Sequence, residues 1–592
     1  MNETMSSVMD AVPGSEGFGG SARRERDPSQ PRAEGVRDTI ESILVALILA
    51  FVFRAFIIEA FIIPTGSMAP TLYGAHGTVV CDDCGTEFAY GLRDLDDPRE
   101  SMPVRKSSEL LCPNCNNKIS DLRLNDGDKN PEKGDRILVL KWPYDLGIDA
   151  LGPQRWDVVV FKDPADGFTN FIKRLAGLPN EVLMIVDGDL YTVPASELSA
   201  ATMADLERYV ADKHAFRTGT KLGRIAPANA ATLAELEQKL RIVRKTPTAQ
   251  SELWHVVYDH DHAPRTLEPV QPRWEPGSER ESGWDAHRRR ISFAPTESSS
   301  DYVELRGKDI RAANAYNVHG GRDAPPVSDQ RVHFVWTPLD DAAEVRVRLI
   351  KQGRTFWAEF HADGNVRLIE WDEGVNSTPT TLGSVQLPPF QSGRTVALSF
   401  ENCDYHLSVQ VSEREVLASS SDPKSPAYYA PNVKALRAQS PRSAGIGRRA
   451  GESSAAVPPR VYGGGGRFWI EHLVVSRDEH YYLDDNAGLG LGWAPGGGWA
   501  GSASPLLLRK GEYFMLGDNT SASKDSRLWD VAGPHLADRG DAFQLGTVPR
   551  DQLIGKAFFV YWPFGHRLDW LPIPALNNIG LIPDVGRMRW IR

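Results

Sequence analysis

Two residues of this sequence suit each other chemically: Ser67 in IIPTGSMAPTLYG and Lys173 in NFIKRLAGLPNEV. A serine hydroxyl becomes a useful nucleophile only when a neighbouring group takes its proton. An ordinary lysine holds its own proton at pH 7 by roughly 4.6 kcal/mol, and burial in apolar surroundings opposes the charged form on that scale. A serine beside a desolvated lysine is therefore a pair able to attack a carbonyl. Lys173 lies among Phe171, Ile172 and Leu175 in a segment that reads as a strand ending at Gly177 and Pro179. Ser67 follows the apolar run Phe61-Ile62-Ile63-Pro64 and reads as the turn at a strand end. Its flanks, Gly66 and Met68-Ala69, lack the second glycine of the G-x-S-x-G elbow, so an α/β-hydrolase fold is not indicated. Read singly, each residue has a plain alternative. A Gly-Ser pair can simply shape a turn, and a strand lysine can point to water.

The elements that position such a pair are also visible. Tyr513 to Trp529 (YFMLGDNTSASKDSRLW) runs an apolar strand into a polar loop. Gly517-Asp518-Asn519 suits a tight turn whose side chains bond the backbone, and Asp525 with Arg527 can form a two-bonded ion pair bracing the same loop. Upstream, Ile40 to Ile58 reads IESILVALILAFVFRAFII, broken only by Glu41, Ser42 and Arg54. As a helix this run extends about 28 Å, enough to cross a bilayer with Arg54 snorkelling to the interface. Arg23, Arg24, Arg26, Arg32 and Arg37 precede it, and after Arg54 no lysine or arginine follows until Arg93. The positive-inside bias then puts the N-terminus in the cytoplasm and everything after Glu59 outside. A cleaved signal peptide is the alternative, but no small-residue cleavage site follows and the run continues into the next strand. Residues 1–38, rich in Gly, Ser, Pro and mixed charge, are expected to be a disordered cytoplasmic tail.

Together these segments resemble the type I signal peptidase family, membrane-anchored Ser-Lys endopeptidases that remove signal peptides from exported proteins. The resemblance is carried by the anchor, by PTGSMAPTL, GDRILVLKWPY (Gly134 to Tyr144) and FIKRLAGLPNEV, and by GDNTSASKDSR and TVPRDQLIGKAFFVYWP. These cover about a third of the chain. The resemblance implies a β catalytic core in which Ser67 is the nucleophile that forms an acyl-enzyme and Lys173 is the general base. It also implies that Ser523 hydrogen-bonds the lysine, that the Thr65 hydroxyl assists the backbone N–H of Ser67 in an oxyanion hole, and that Asp525 and Arg527 brace the loop. It implies no cofactor for catalysis. The family loop reads GDN followed by a charged residue, Asp, Asn and Ser, where Thr520-Ser521-Ala522 stand before the serine here. The implied partners are signal peptides of exported preproteins and the lipid bilayer. The implied location is the plasma membrane, crossed once, with the catalytic domain on the outer face. An extended substrate with a small-x-small site is expected to pair with the strands carrying Ile62, Ile63, Phe171 and Ile172.

The rest of the chain divides around this core. The anchor is expected over residues 39–59 and the core over 60–80, 131–190 and 506–592. Residues 81–130 hold Cys81, Cys84, Cys112 and Cys115 as two C-x-x-C knuckles. This spacing suits a zinc ribbon whose four thiolates leave no open coordination position, hence structural zinc. Two disulfides are the alternative, because the segment is expected in an oxidising compartment. Cys403 stands alone and reads as a buried apolar residue. Residues 191–288 are expected to be a mixed helical insert, with helical periodicity in PASELSAATMADLERYVADKHAF and TLAELEQKLRIV, and their Asp259-His260-Asp261-His262 run reads as a solvated loop rather than a cation site. Residues 289–482 change to alternating strands such as HLSVQV, indicating a β-sandwich that resembles a concanavalin-like jelly roll. Such a sandwich can take a glycan or protein ligand, although fold does not give function. Trp357 and Trp371 are read as core in preference to an exposed binding face. Gly463 to Gly466 and residues 483–505 read as loops returning to the core. Prolines and paired asparagines from Leu568 onward argue against a second span.

The fold class is thus mainly β, with one transmembrane helix, a catalytic core, a zinc-ribbon-like insert and a sandwich insert. A net charge of -11 and no basic stripe with interleaved aromatics exclude a nucleic-acid interface. Two other functions stay open: a membrane-tethered binding protein with an inactive peptidase core, and a related Ser-Lys peptidase that cleaves itself or one regulatory target.

Overall fold

The computed structural model describes residues 31–591 apart from 92–109, 120–131, 216–227, 267–271, 278–281, 297–300, 317–323, 373–377, 440–455, 483–498, 564–582 and the positions 147, 149, 150, 288, 309, 315 and 530. Residues 568–582 and most of the expected 483–505 linker lie outside the described residues. The chain has two compact units, residues 1–57 and 58–592.

The first unit contains a helix, Pro31–Phe56, that starts inside the segment expected to be a tail. Its stretch Arg37–Phe56 is long and apolar enough to cross a membrane, with none of that window buried. Leucine, isoleucine, valine and phenylalanine crowd the stretch and stand exposed, the pattern of a helix whose solvent is apolar.

The second unit is mainly β. Among its described residues, one antiparallel sheet of eight strands carries the peptidase-like segments. Its strands include β1 (Ile58–Ile62), β4 (Arg136–Leu140), β5 (Val158–Lys162) and β6 (Asn170–Gly177), numbered to leave β2 (His76–Val80) and β3 (Glu87–Gly91) for a separate hairpin. The order runs β1, β4, Leu553–Trp562, β5, β6, Glu512–Leu516, Val548–Pro549, with Arg589–Trp590 beside Leu553–Trp562. Apolar residues dominate these strands, and β5 and β6 read as near-continuous buried runs. Ile63, Met68, Ile137, Val139, Val158, Val160 and Ile172 share one core cluster, which locks the serine segment onto the sheet.

The sandwich has two facing antiparallel sheets. Alternate residues of Gln330–Pro338 (Val332, Phe334, Trp336) meet alternate residues of Glu344–Lys351 and Arg354–His361 (Val345, Val347, Leu349, Phe356, Ala358, Phe360) in one core. Trp357 is fully buried, and its indole donates to the Trp371 carbonyl at 2.9 Å. Three differences from the sequence reading have physical causes. His255–Asp259, Arg273–Pro276 and Trp284–Asp285, upstream of Arg289, already pair into the sandwich sheets; strands of two to five residues are too short to show a period. Gly463 and Gly464 end the strand Arg460–Gly464 rather than forming a loop, because a Cβ on Gly463 would come 2.7 Å from the Phe293 ring that packs there. His260 is buried beneath Asp259-Asp261-His262, whose backbone is bonded by the cysteine-bearing insert described below.

Among the described residues, sandwich and peptidase core share packed side chains. Val182, Met184, Tyr191 and Val193 of the strands Glu181–Val186 and Asp189–Pro194 belong to the same core cluster as the sandwich residues. A buried ionic network crosses the same seam: Lys351 pairs with Asp189 at 3.3 Å and with Asp329, and Lys245 pairs with Asp404 at 2.9 Å and Asp478 at 2.6 Å. Cys403 is buried beside this network, its thiol donating to Gln250 Oε1 at 3.2 Å.

Candidate active site

Ser67 and Lys173 come together. Lys173 Nζ and Ser67 Oγ are 2.5 Å apart in hydrogen-bond contact, with exposures of 1% and 3%. Ser67 occupies a single helical turn, Gly66–Met68, pinned by the buried side chains of Met68 and Leu72. Lys173 occupies β6 in register with Val159 of β5. On its other edge β6 pairs with Glu512–Leu516 only from Arg174 onward, so beside Phe171, Ile172 and Lys173 that edge is free of ladder partners among the described residues. Lys173 Nζ also lies 5.4 Å from the Phe171 ring centroid. Among the described residues no carboxylate pairs with it. An amine held this way can accept the serine proton when it is neutral.

The loop after Glu512–Leu516 fixes the pair. Asn519 donates from its backbone N–H to the Ser67 carbonyl at 3.1 Å and from Nδ2 to the Gly66 carbonyl at 2.9 Å. Asp518 holds the neighbour of the lysine: Arg174 Nε and Nη2 donate to its two carboxylate oxygens at 2.8 and 2.6 Å, all fully buried. Burial works against the Arg174 charge, and the Asp518 carboxylate more than offsets it, leaving the guanidinium pKa raised. Gly517 passes between Ser67 and Ser523, where a Cβ would lie 2.6 Å from the Ser67 carbonyl oxygen and 2.2 Å from Ser523 Oγ. Asp525 and Arg527 make the expected two-bonded pair at 2.8 and 2.6 Å; Asp525 also accepts from the Gly517 N–H at 3.0 Å, and Arg527 donates to the Thr520 carbonyl at 3.1 Å.

Other expected positions are placed differently. Ser523 is buried beside the site, but its Oγ has no hydrogen-bond partner among the described residues, so it does not bond Lys173 here. Thr65 precedes the serine turn in extended conformation and makes no side-chain capping bond. Ile63 and Ile172 point into the core, with the Ile63 N–H donating to the Asp135 carbonyl at 2.9 Å and Ile172 in register with Val160, whereas Ile62 on edge strand β1 is 58% exposed and Phe171 is half-buried. Arg174 was not singled out from sequence, and Asn519 was read as a turn former, not as a clamp on the Ser67 turn. Arg174 carried one signal: a second charge directly after Lys173 in an apolar strand requires a partner.

Cys81, Cys84, Cys112 and Cys115 converge, all four sulfurs within 4.8 Å of one another and none in a disulfide. Sγ separations of 3.5 Å (Cys81 to Cys115) and 3.6 Å (Cys84 to Cys112) lie near the edge of about 3.8 Å that zinc-sulfur bonds of about 2.3 Å give in a tetrahedron. Both knuckles turn alike: Gly85 N–H donates to the Cys81 carbonyl at 2.9 Å and Asn116 N–H to the Cys112 carbonyl at 3.0 Å. The cluster caps the hairpin of β2 and β3, which leaves directly from the serine loop. Asn114 donates to the His262 carbonyl at 2.6 Å and accepts from the Asp259 N–H at 2.7 Å, clamping the second knuckle to the sandwich side.

Residues 125–235 and 494–562 match the model of the family described as signal peptidase, peptidase S26; Lys173, Ser523, Asp525 and Arg527 fall inside the match, and Ser67 precedes it. The chain is 42% identical over 74 residues to signal peptidase I of Pseudomonas fluorescens, covering 12% of this chain and 23% of the relative. It is 36% identical over 58 residues to signal peptidase IB of Staphylococcus aureus, covering 10% and 22%. The chain thus spans less than a quarter of the length of these curated relatives. Among solved structures, carbohydrate-binding module CBM66 from Bacillus subtilis aligns with 34% of this chain and 92% of its own at 9% identity and a TM-score of 0.21. The laminarinase catalytic domain from Thermotoga maritima aligns with 38% and 98% at 10% identity and a TM-score of 0.24. Over its two matched segments, the chain is similar to the signal peptidase, peptidase S26, family.

Proposed function

We propose that this protein is a membrane-bound serine endopeptidase of the signal peptidase I type, which removes N-terminal signal peptides from exported preproteins. The observation that supports it most is the buried 2.5 Å contact between Ser67 Oγ and a Lys173 with no carboxylate partner among the described residues. Ser67 Oγ attacks the scissile carbonyl carbon while its proton passes to Lys173 Nζ. Lys173 then gives that proton to the leaving amine, and the new N-terminus departs. The acyl group, now an ester on Ser67, is cleaved by a water whose proton Lys173 takes and returns to Ser67 Oγ. The Ser67 N–H and the Thr65 hydroxyl stabilise the tetrahedral oxyanion, a contribution of a few kcal/mol per donor. Ser523, buried beside the pair with its Oγ unpartnered among the described residues, is available to orient Lys173, and Asp525 with Arg527 holds the loop that carries Ser523.

The free edges of β1 and β6 suit an extended substrate that pairs by main-chain bonds. The helix of residues 37–56 crosses the plasma membrane once, with the N-terminus in the cytoplasm and the catalytic unit outside, at the surface where a signal peptide presents its cleavage segment. The four cysteines bind structural zinc, leaving no position for a catalytic water.

A labelled precursor with an Ala-x-Ala site, incubated with detergent-solubilised protein, tests this reading. Wild type is expected to cut after the second alanine, with Ser67→Ala inactive but folded. An uncut precursor with folded wild type contradicts it.

A further inference from the structure

The sandwich insert reaches into the site from two sides. On one side, Asn314 Nδ2 donates to the Ala69 carbonyl at 3.0 Å, and Asn314 Oδ1 accepts from the Tyr316 N–H at 3.0 Å. The Tyr316 hydroxyl donates to the Ala75 carbonyl at 2.9 Å, and its ring lies so close over Gly66 that a Cβ there would come within 2.0 Å. Tyr316 also stacks on Tyr73, with ring centroids 5.7 Å apart, and its carbonyl accepts from the Gly91 N–H at 2.7 Å. One edge of the turn that carries Ser67 is therefore held by residues of the insert. On the other side, Glu479 Oε1 accepts from the Thr520 N–H at 3.2 Å, at the start of the turn that leads to Ser523. Arg477, fully buried, connects the two arms, lying 3.5 Å from Glu479 and donating to the Ala313 carbonyl at 2.8 Å.

We propose that Asn314, Tyr316 and Glu479 are positioning residues for the peptidase reaction: a strut of the inserted sandwich that sets the separation between the Ser67 turn and the loop of Gly517 to Ser523. This rests on the peptidase reading above. The two loops otherwise meet through Asn519 and Gly517, contacts that fix one edge of the serine turn only. With the opposite edge held by Asn314 and Tyr316, the turn cannot rotate Ser67 Oγ away from Lys173. The insert is then a part of the catalytic unit, not an appended binding module, and its integrity governs turnover more than substrate affinity.

The test uses the full chain with Asn314→Asp, which keeps the acceptor for Tyr316 and loses the donor to Ala69, alongside Tyr316→Phe and Glu479→Gln. Arg467→Ala, which removes only an exposed ion pair with Asp340, is the control. Each variant is assayed for kcat and KM on the Ala-x-Ala precursor and for amide exchange in peptides spanning Gly66 to Leu72 and Gly517 to Ser523. For Asn314→Asp and Glu479→Gln, kcat is expected to fall about tenfold or more with KM changed less than about twofold, as a small displacement of reacting groups predicts. Exchange in both peptides rises while the control matches wild type. Tyr316→Phe, retaining the ring, shows the same effects more weakly and covers the case in which Asn314→Asp does not fold. If wild type cuts and the folded strut variants keep their kcat with unchanged exchange, this inference is overturned alone. If wild type does not cut, the peptidase reading falls and takes it along.

Discussion

Gly517→Ala is the sharpest steric probe of the site. Gly517 has neither an unusual φ nor a side chain, so the substitution adds one methyl group and nothing else. That methyl would stand 2.6 Å from the Ser67 carbonyl oxygen, 2.2 Å from Ser523 Oγ and 2.5 Å from Ser523 Cβ. The hydroxyl can rotate away, but the Ser67 carbonyl is backbone and must retreat by about 0.8 Å to reach an ordinary contact of 3.4 Å. Ser67 Oγ moves with it, away from a lysine that now sits at 2.5 Å. Misplacement on the order of 1 Å costs about a hundredfold in rate, whereas overpacking costs about 1–3 kcal/mol of stability, a modest loss for a unit this large. The assay is kcat/KM on an Ala-x-Ala precursor together with the Tm of the solubilised protein. A folded Gly517→Ala variant within about twofold of wild type would show that the loop does not press on Ser67, and the geometric argument would fail.

Three further outcomes are expected. Asp518→Asn leaves the buried Arg174 charge with only part of its partner and lowers stability by about 3–5 kcal/mol in chemical unfolding, whereas an unchanged midpoint would mean that the pair does not hold the loop. Metal analysis finds one zinc per chain in protein purified without chelator, lost in Cys112→Ser; no zinc, with two disulfides by mass, would assign the cysteines the other way. Burial lifts the Glu401 carboxyl to about 6 against the opposing Arg331, so the folded state binds the extra proton and stability falls as pH rises from about 4.3 to 6, by about 2 kcal/mol. Glu401→Gln should flatten that slope and raise the Tm at pH 8 but not at pH 4, and equal slopes in both proteins would refute the assignment.

What the sequence revealed about this molecule depended on distance along the chain. Ser67, Lys173 and the cysteine knuckles sit in short local patterns, and each pattern carries its own chemistry within a dozen residues. The register that brings Lys173 beside Val159, and the bond from Asn519 to Gly66 across 453 positions, have no local signature. Asp518 was legible as a turn former but not as the partner of Arg174, because turn chemistry and ion pairing use the same side chain. Ser523, expected on the lysine from family resemblance, rests beside Gly517 with its Oγ unpartnered among the described residues. The insert was legible as a sandwich from alternation in stretches such as Leu407, Val409 and Val411, yet Asn314 and Tyr316 lie in an irregular stretch where periodicity says nothing. Gly463 misled for a related reason: a glycine that makes room for the Phe293 ring looks, in sequence, like a glycine that makes a loop.

Whether Lys173 is the base for Ser67 is decided by single-turnover cleavage of a precursor by wild type, Lys173→Ala and Ser67→Ala. Both variants are expected to lose cleavage by about a thousandfold or more, with circular dichroism and Tm close to wild type. A folded Lys173→Ala protein that cuts the same bond at a rate near wild type would contradict that role.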